Sequence, residues 1–331
     1  MESILGQALI RRILTIPIVY ASLIILTILL PLVLPVAALI DLFRWARART
    51  HAMALRITVF VWVYLLGQAW AIIALVALGL LPRSRSMAWT YAAQRAWLDW
   101  NFLSIQQTFA LRFFEEGSAE IPPGPILLLS RHASLIDTML PARYVVKPHG
   151  IKLRYVLKKE LLIDPALDIG GNRLPNHFLD RAGDTNSELA ALRSLATDLA
   201  EDEGVLIYPE GTRYSDEKRA RFARTWRERD DSIAAIAADF TRVLPPRPAG
   251  TLALLEASTA DVVVLAHRGL EGFARVRDMW SGGLVGSRVD LGFRRVRRSE
   301  IPEDREARIK WLFELWAQMD AWVQGQEALK G

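Results

Sequence analysis

Charge is missing from two long stretches near the start of the chain, residues 13–40 and 57–82, where 28 and 26 consecutive positions carry none. A spanning helix needs roughly 20 apolar residues, so both stretches are long enough. Buried core helices of this length normally keep a polar face. Pro17, Pro31 and Pro35 interrupt the first stretch, and an interior proline removes a hydrogen bond and kinks a helix. The pattern fits either a transmembrane pair or a re-entrant hairpin dipping into one leaflet. A removed signal peptide fits less well, because the apolar run is too long and no small-residue cleavage site precedes Arg44. Arginines do not fix orientation: Arg44, Arg47, Arg49 and Arg56 lie between the stretches, against Arg11, Arg12, Arg83, Arg85 and Arg95 on the flanks.

The pattern then changes. Residues 86–116 carry Trp97, Trp100 and Phe102 and read as an interfacial connector, whose aromatics serve either a membrane-surface belt or packing against the next domain. From 117 to 331 short apolar runs alternate with amphipathic stretches. Strands are expected at 126–130, 152–157, 205–208, 261–265 and 287–296, the last with Val289, Leu291 and Phe293 on alternate positions. Helices are expected at 134–146, with Ser134 as N-cap, and at 187–203, ended by Gly204. Ile309, Leu312, Phe313 and Trp316 mark one face of a final helix. Strands alternating with helices indicate an α/β domain, a sheet covered by helices. The division is therefore a membrane hairpin (1–85), a connector (86–116) and a soluble domain (117–331).

Composition narrows the chemistry. Of 331 residues 52% are hydrophobic and 23% charged, which excludes a disordered chain. There is no cysteine, hence no disulfide framework, thiolate nucleophile or cysteine-held metal centre. Lys and Arg number 41 against 36 Asp and Glu, a surplus too thin for nucleic-acid recognition. No nucleophile elbow, Walker loop, dinucleotide fingerprint or zinc helix occurs. The histidines are His51, His132, His149, His177 and His267; His51 lies in the loop between the apolar stretches, and His149, His177 and His267 have no partners at metal-ligand spacing.

Two clusters remain as candidate chemistry. His132 follows the first buried strand, with Asp137 five positions on. The two side chains meet only if His132 precedes the first helical turn, and Asp137 then orients the ring and leaves the other nitrogen as a base. The second cluster, Tyr208-Pro209-Glu210-Gly211-Thr212-Arg213, follows a strand, where α/β sheets place ligands. Glycine permits a sharp turn, Thr212 adds a hydroxyl, and Arg213 offers a fork for phosphate. The Arg-rich stretch 218–229, interleaved with Phe222 and Trp226, fits an interfacial helix or an ordinary charged one. Arg143, Lys147, Lys152, Arg154, Lys158 and Lys159 are further candidates for headgroup contact.

Together the clusters resemble the lysophosphatidate (1-acylglycerol-3-phosphate) acyltransferase family, in its branch with two N-terminal membrane segments. His132, Ser134 and Asp137 match its H-x-x-x-x-D block, and Glu210 to Arg213 its E-G-T-R block. Lys158-Lys159-Glu160-Leu161 and Phe178-Leu179-Asp180-Arg181 are similar to the elements between them, and 244–250 to a segment of that branch. Two departures stand out. Arg131 replaces the usual asparagine before the histidine, and Val262-Val263-Val264-Leu265 lacks the usual proline.

The resemblance implies a glycerolphosphate acyltransferase-like fold and acyl transfer from acyl-CoA or acyl carrier protein to the sn-2 hydroxyl of lysophosphatidate. It implies His132 as base, Asp137 as its orienting group, and Arg213, with Arg181 second, as phosphate ligands. Glu210 would orient Arg213 and the turn, amides near Gly211 would support an oxyanion, and Thr212 and Phe178 would line the substrate site. No cofactor and no metal is implied. The partners implied are the lysophospholipid, the acyl thioester and the bilayer, at the inner (cytoplasmic) membrane with the catalytic domain on the cytoplasmic side. Acyl transfer to another lysophospholipid, a membrane-bound phosphate-ester hydrolase and a non-catalytic binder of anionic lipid are the alternatives.

Overall fold

The structure is a computed structural model that describes residues 7–180, 183–227, 232–273 and 276–325. In chain order its strands are β1 (Arg112–Glu116), β2 (Ile126–Ser130), β3 (Lys152–Lys158), β4 (His177–Leu179), β5 (Glu203–Ile207), β6 (Asp261–Arg268) and β7 (Arg288–Val296). Its principal helices are α1 (Ala8–Ala48), α2 (Met53–Gly79), α3 (Arg83–Phe109), α4 (Pro165–Arg173), α5 (Thr185–Ala196), α6 (Asp216–Arg227), α7 (Ser232–Ala238), α8 (Pro248–Ala257) and α9 (Arg305–Gln324). They fall into two compact units. The first holds everything described up to Arg112 together with Leu157–Asp180 and Val276–Ser287, and the second holds the rest.

In the first unit, α1 and α2 are each long and apolar enough to cross a membrane. α1 runs unbroken through Pro17, Pro31 and Pro35. Its Ile28, Leu32 and Leu39 are each at least 65% exposed, a surface that water disfavours and lipid accepts. The turn between the helices is closed by Asp41, whose carboxylate accepts the amides of Ala54 and Leu55, both at 2.9 Å. These are the donors a helix start leaves unsatisfied. The expected connector is helical: α3 begins at Arg83, buries Trp97, Phe102 and Phe109, and exposes Trp89 and Trp100. Asp164 caps α4 through the amides of Ala166 and Leu167, with Pro165 at the first helical position. Asp168, fully buried on α4, is held by Arg11 at 2.6 Å and Arg12 at 2.9 Å.

The second unit is built on a mixed sheet, in which β1, β7, β6, β2, β5 and β3 lie side by side in that order. β2 is parallel to both β5 and β6, β3 is parallel to β5, and β7 is antiparallel to β6. Every residue of β2 is buried, as a central parallel strand requires. Because β6, β2 and β5 are parallel neighbours, the residues after their C-terminal ends emerge along one edge. That edge receives His132 and Glu210, beside His267 in the last residues of β6.

Three local expectations are corrected. Residues 134–146 form no regular α-helix; a short 3₁₀ turn (Asp137–Met139) leads into a π-helical turn (Ala142–Val146). Ser134 is accordingly no α-helical N-cap: its hydroxyl donates to the Phe273 carbonyl at 3.1 Å and accepts the Ile136 amide at 3.1 Å. The helix expected to reach 203 ends at Ala196, where Arg154 donates to the Leu195 carbonyl at 3.0 Å. Gly204 lies inside β5 instead, where a β-carbon would sit 2.8 Å from the Ile126 carbonyl oxygen. Its smallness serves strand approach, a need that looks like a helix stop in sequence. β1 and β4 were not anticipated.

Several basic side chains are engaged within the protein. Lys152, Arg154 and Lys159 pair with Asp202, Glu203 and Asp180 at 2.5, 2.6 and 2.7 Å. On α6, Phe222 packs inward against Ala133, Tyr214 and Leu244, so this ring belongs to the domain core. The side chain of Trp226 lies outside the described residues.

Candidate active site

His132 stands in the turn after β2 and is only 7% exposed. Its Nδ1 lies 3.0 Å from Oδ1 of Asp137, which opens the next turn. The five-residue spacing works because the intervening backbone is no α-helix. The other oxygen of Asp137 accepts the amides of Ala133 and Ser134, each at 2.7 Å, and so curls the turn under the imidazole. Burial raises the pKa of Asp137, but attraction to and hydrogen bonding with His132, and then His267, hold it well below the usual carboxylate range. An ionised Asp137 accepts the Nδ1 proton and leaves Nε2 of His132 as the basic nitrogen. Tyr208 lies against the imidazole, with ring centroids 4.6 Å apart.

Glu210 is almost fully buried. Its oxygens accept the amide of His132 at 3.0 Å and that of Leu244 at 3.1 Å. Glu210 thus braces the histidine turn against the 244 segment, and its hydrogen bonds go to backbone amides rather than to Arg213. Burial pushes its pKa up to about 8, against the opposing pull of Arg131 and the two amides. The folded protein therefore holds a proton here that the unfolded chain releases near its ordinary value of 4.5. Stability from this group is complete below that value and falls as pH rises toward 8, by at most about 1.4 kcal/mol per pH unit. Asp137, already ionised throughout this window, adds no slope. Thermal midpoints measured across it should decline more steeply for the wild type than for Glu210→Gln. Parallel curves would remove Glu210 as the titrating group.

Gly211 has φ +66°, and a β-carbon there would also crowd Cδ of Arg247 at 3.2 Å. Its amide donates to the Tyr208 carbonyl at 2.9 Å. The Gly211 amide itself thus closes a turn. Lys218 on α6 donates to the Thr212 hydroxyl at 2.8 Å and to the Arg213 carbonyl at 2.9 Å, fixing the loop from beneath. Arg213 is half-buried, and its Nη1 is buried without a hydrogen-bond partner among the described residues. A guanidinium nitrogen left so is costly unless an anion completes it.

Arg131, in place of the expected asparagine, is fully buried. Its guanidinium donates to the carbonyls of His267 and Arg242 and pairs with Glu271 at 2.5 Å. Burial alone raises the Glu271 pKa, but Arg131 outweighs it and holds the carboxyl below its ordinary value. Phe178 lies on β4 in the first unit, packed on Gly171, and Arg181 lies outside the described residues. Among the described residues no group of three metal-binding side chains gathers. Tyr208 carries no sequence signal of a role; its place is set by the ring contact with His132. Lys218, at the start of the 218–229 stretch, and His267 show no site role in sequence, because only the fold brings them beside the two motifs.

Residues 112–247 match the family model described as Acyltransferase. The structure is similar to that of PlsC, the 1-acyl-sn-glycerophosphate (LPA) acyltransferase from Thermotoga maritima, with a TM-score of 0.56. The likeness covers 82% of this chain and 98% of that one, at 15% identity, and at that identity it is a likeness of fold. No curated protein matches.

Proposed function

From an acyltransferase domain that carries this buried histidine–aspartate pair, we propose that the chain moves a fatty acyl group from acyl-CoA or acyl carrier protein to the sn-2 hydroxyl of lysophosphatidate, giving phosphatidate. The observation that carries the reading is the His132–Asp137 contact at 3.0 Å, with Asp137 wholly enclosed. Nε2 of His132 takes the hydroxyl proton as the oxygen attacks the thioester carbonyl. The tetrahedral intermediate collapses, the C–S bond breaks, and the departing thiolate takes the proton from His132. Direct transfer of this kind forms no acyl-enzyme, in keeping with a chain that has no cysteine.

The partnerless nitrogen of Arg213 supports a phosphate-bearing acceptor. The two apolar helices support a lipid one. The cytoplasmic face of the inner membrane is the proposed location, where soluble acyl thioesters meet membrane lysophospholipid.

The test is purified protein in mixed micelles with lysophosphatidate and either acyl-CoA or acylated carrier protein, following free thiol and phosphatidate together. Both should appear in equal amounts. Release of inorganic phosphate would make the protein a hydrolase, and acceptor binding without thiol release would make it a lipid-binding protein.

A further inference from the structure

Asp137 serves two histidines. Behind the pair already described lies His267, wholly buried on β6, with Nε2 3.5 Å from Oδ2 of Asp137 and 3.2 Å from the carbonyl oxygen of Arg131. A carbonyl only accepts, so Nε2 of His267 carries the hydrogen. Nδ1 has no hydrogen-bond partner among the described residues, so Nε2 makes the ring's polar contacts there. The ring therefore directs one N–H at the junction of the Asp137 carboxylate and the Arg131 carbonyl. Arg131 returns the contact, because its guanidinium donates to the His267 carbonyl and is itself clamped by Glu271 and the carbonyl of Arg242. The charged and titratable groups around His267 are thus Arg131, Asp137, Glu271 and, across Asp137, His132 with Tyr208 and Glu210.

We infer that His267 is a positioning residue for acyl transfer. It completes the set of donors that hold Asp137 at the angle required by Nδ1 of His132. Without it Oδ2 keeps the Ala133 and Ser134 amides and a 3.3 Å contact with Nδ1 of His132, all three within its own turn. With it, the carboxylate is tied to β6, a strand in the middle of the sheet. Arg131 locks the same strand end, which gives a local reason for an arginine at that place. The inference rests on the acyltransfer reading above.

Glutamine and methionine at position 267 nearly share a shape, and the amide of glutamine falls where Nε2 stands. His267→Gln should keep kcat within about threefold of wild type. His267→Met should lower it about tenfold, the low end for a hydrogen bond to a charged group, with KM for donor and acceptor unchanged. His267→Asn, whose amide falls at the Nδ1 position and points away from Asp137, should behave like methionine. A second readout is independent of turnover. In protein labelled with ¹⁵N-histidine, His132 should show one tautomer, with the hydrogen on Nδ1, in wild type and His267→Gln. It should show a mixture in the methionine and asparagine variants.

Equal kcat in all three variants, equal losses in glutamine and methionine, a loss confined to KM, or an unchanged His132 tautomer would each overturn the inference. If the wild type itself transfers no acyl group, the acyltransfer reading fails. The nitrogen spectra still decide whether His267 positions Asp137.

Discussion

Turnover of His132→Ala should fall by about 10²–10⁴, the range that a positioned general base contributes, while expression and membrane association persist. The separation is expected because the parts of His132 that hold the fold are not its ring. Its amide binds Glu210 and its carbonyl accepts the Tyr214 amide at 2.8 Å, and alanine keeps both. The cost to stability is the loss of ring packing on Tyr208 and of one acceptor contact at Asp137, whose charge keeps two amides. Asp137→Asn should lose less turnover, because the ring stays roughly in place while the wrong tautomer becomes accessible. The measurement is kcat for thiol release in protein reconstituted at equal membrane loading. Near-normal turnover in His132→Ala would end the general-base mechanism.

Arg213→Ala should raise KM for lysophosphatidate about tenfold to a hundredfold, the range for hydrogen bonds to a charged group, with a smaller change in kcat. A guanidinium that grips a non-reacting phosphate binds ground state and transition state alike, so its loss appears in KM. Arg213→Lys should recover only part, since an ammonium keeps the charge but not the fork. The loop itself should survive, because Lys218 holds it through the Thr212 hydroxyl and the carbonyl of residue 213, which any side chain leaves intact. Steady-state titration of each substrate separates the possibilities. A rise in donor KM with acceptor KM unmoved would assign Arg213 to the acyl donor.

The parts of this protein legible in sequence are those where one residue type answers one physical need. Two charge-free stretches mark helices for lipid, and buried runs such as 126–130 mark strands. The His132–Asp137 spacing marks a pair that meets only outside an α-helix. What stayed hidden depends on neighbours distant in sequence. Ser134 looks like a helix cap, but the carboxylate of Asp137 reorganises the turn around it. Gly204 looks like a stop, but a strand 78 residues earlier demands its smallness. Glu210 looks like a partner for Arg213 three positions on, yet its oxygens meet amides on two other loops. His267 carries no motif at all, and only the parallel order of β6, β2 and β5 sets it behind the dyad.

The buried Asp168 bears on how such a chain diversifies. Its charge is neutralised by arginines more than 150 positions earlier, and Ala166 and Ile169 of the same helix share one apolar cluster with Ile72, Leu75 and Trp97. Val276–Ser287 belongs to the same unit, with Gly282 against His51 and Met53, and Arg44 over the Trp280 ring. The unit that holds the two apolar helices is therefore stitched from three separate lengths of chain. A single recombination crossover after α2 would part Asp168 from the arginines that neutralise it here and Trp280 from Arg44. A chimera that exchanges this unit is expected to fold only when all three pieces move together, which the yield of folded protein would check.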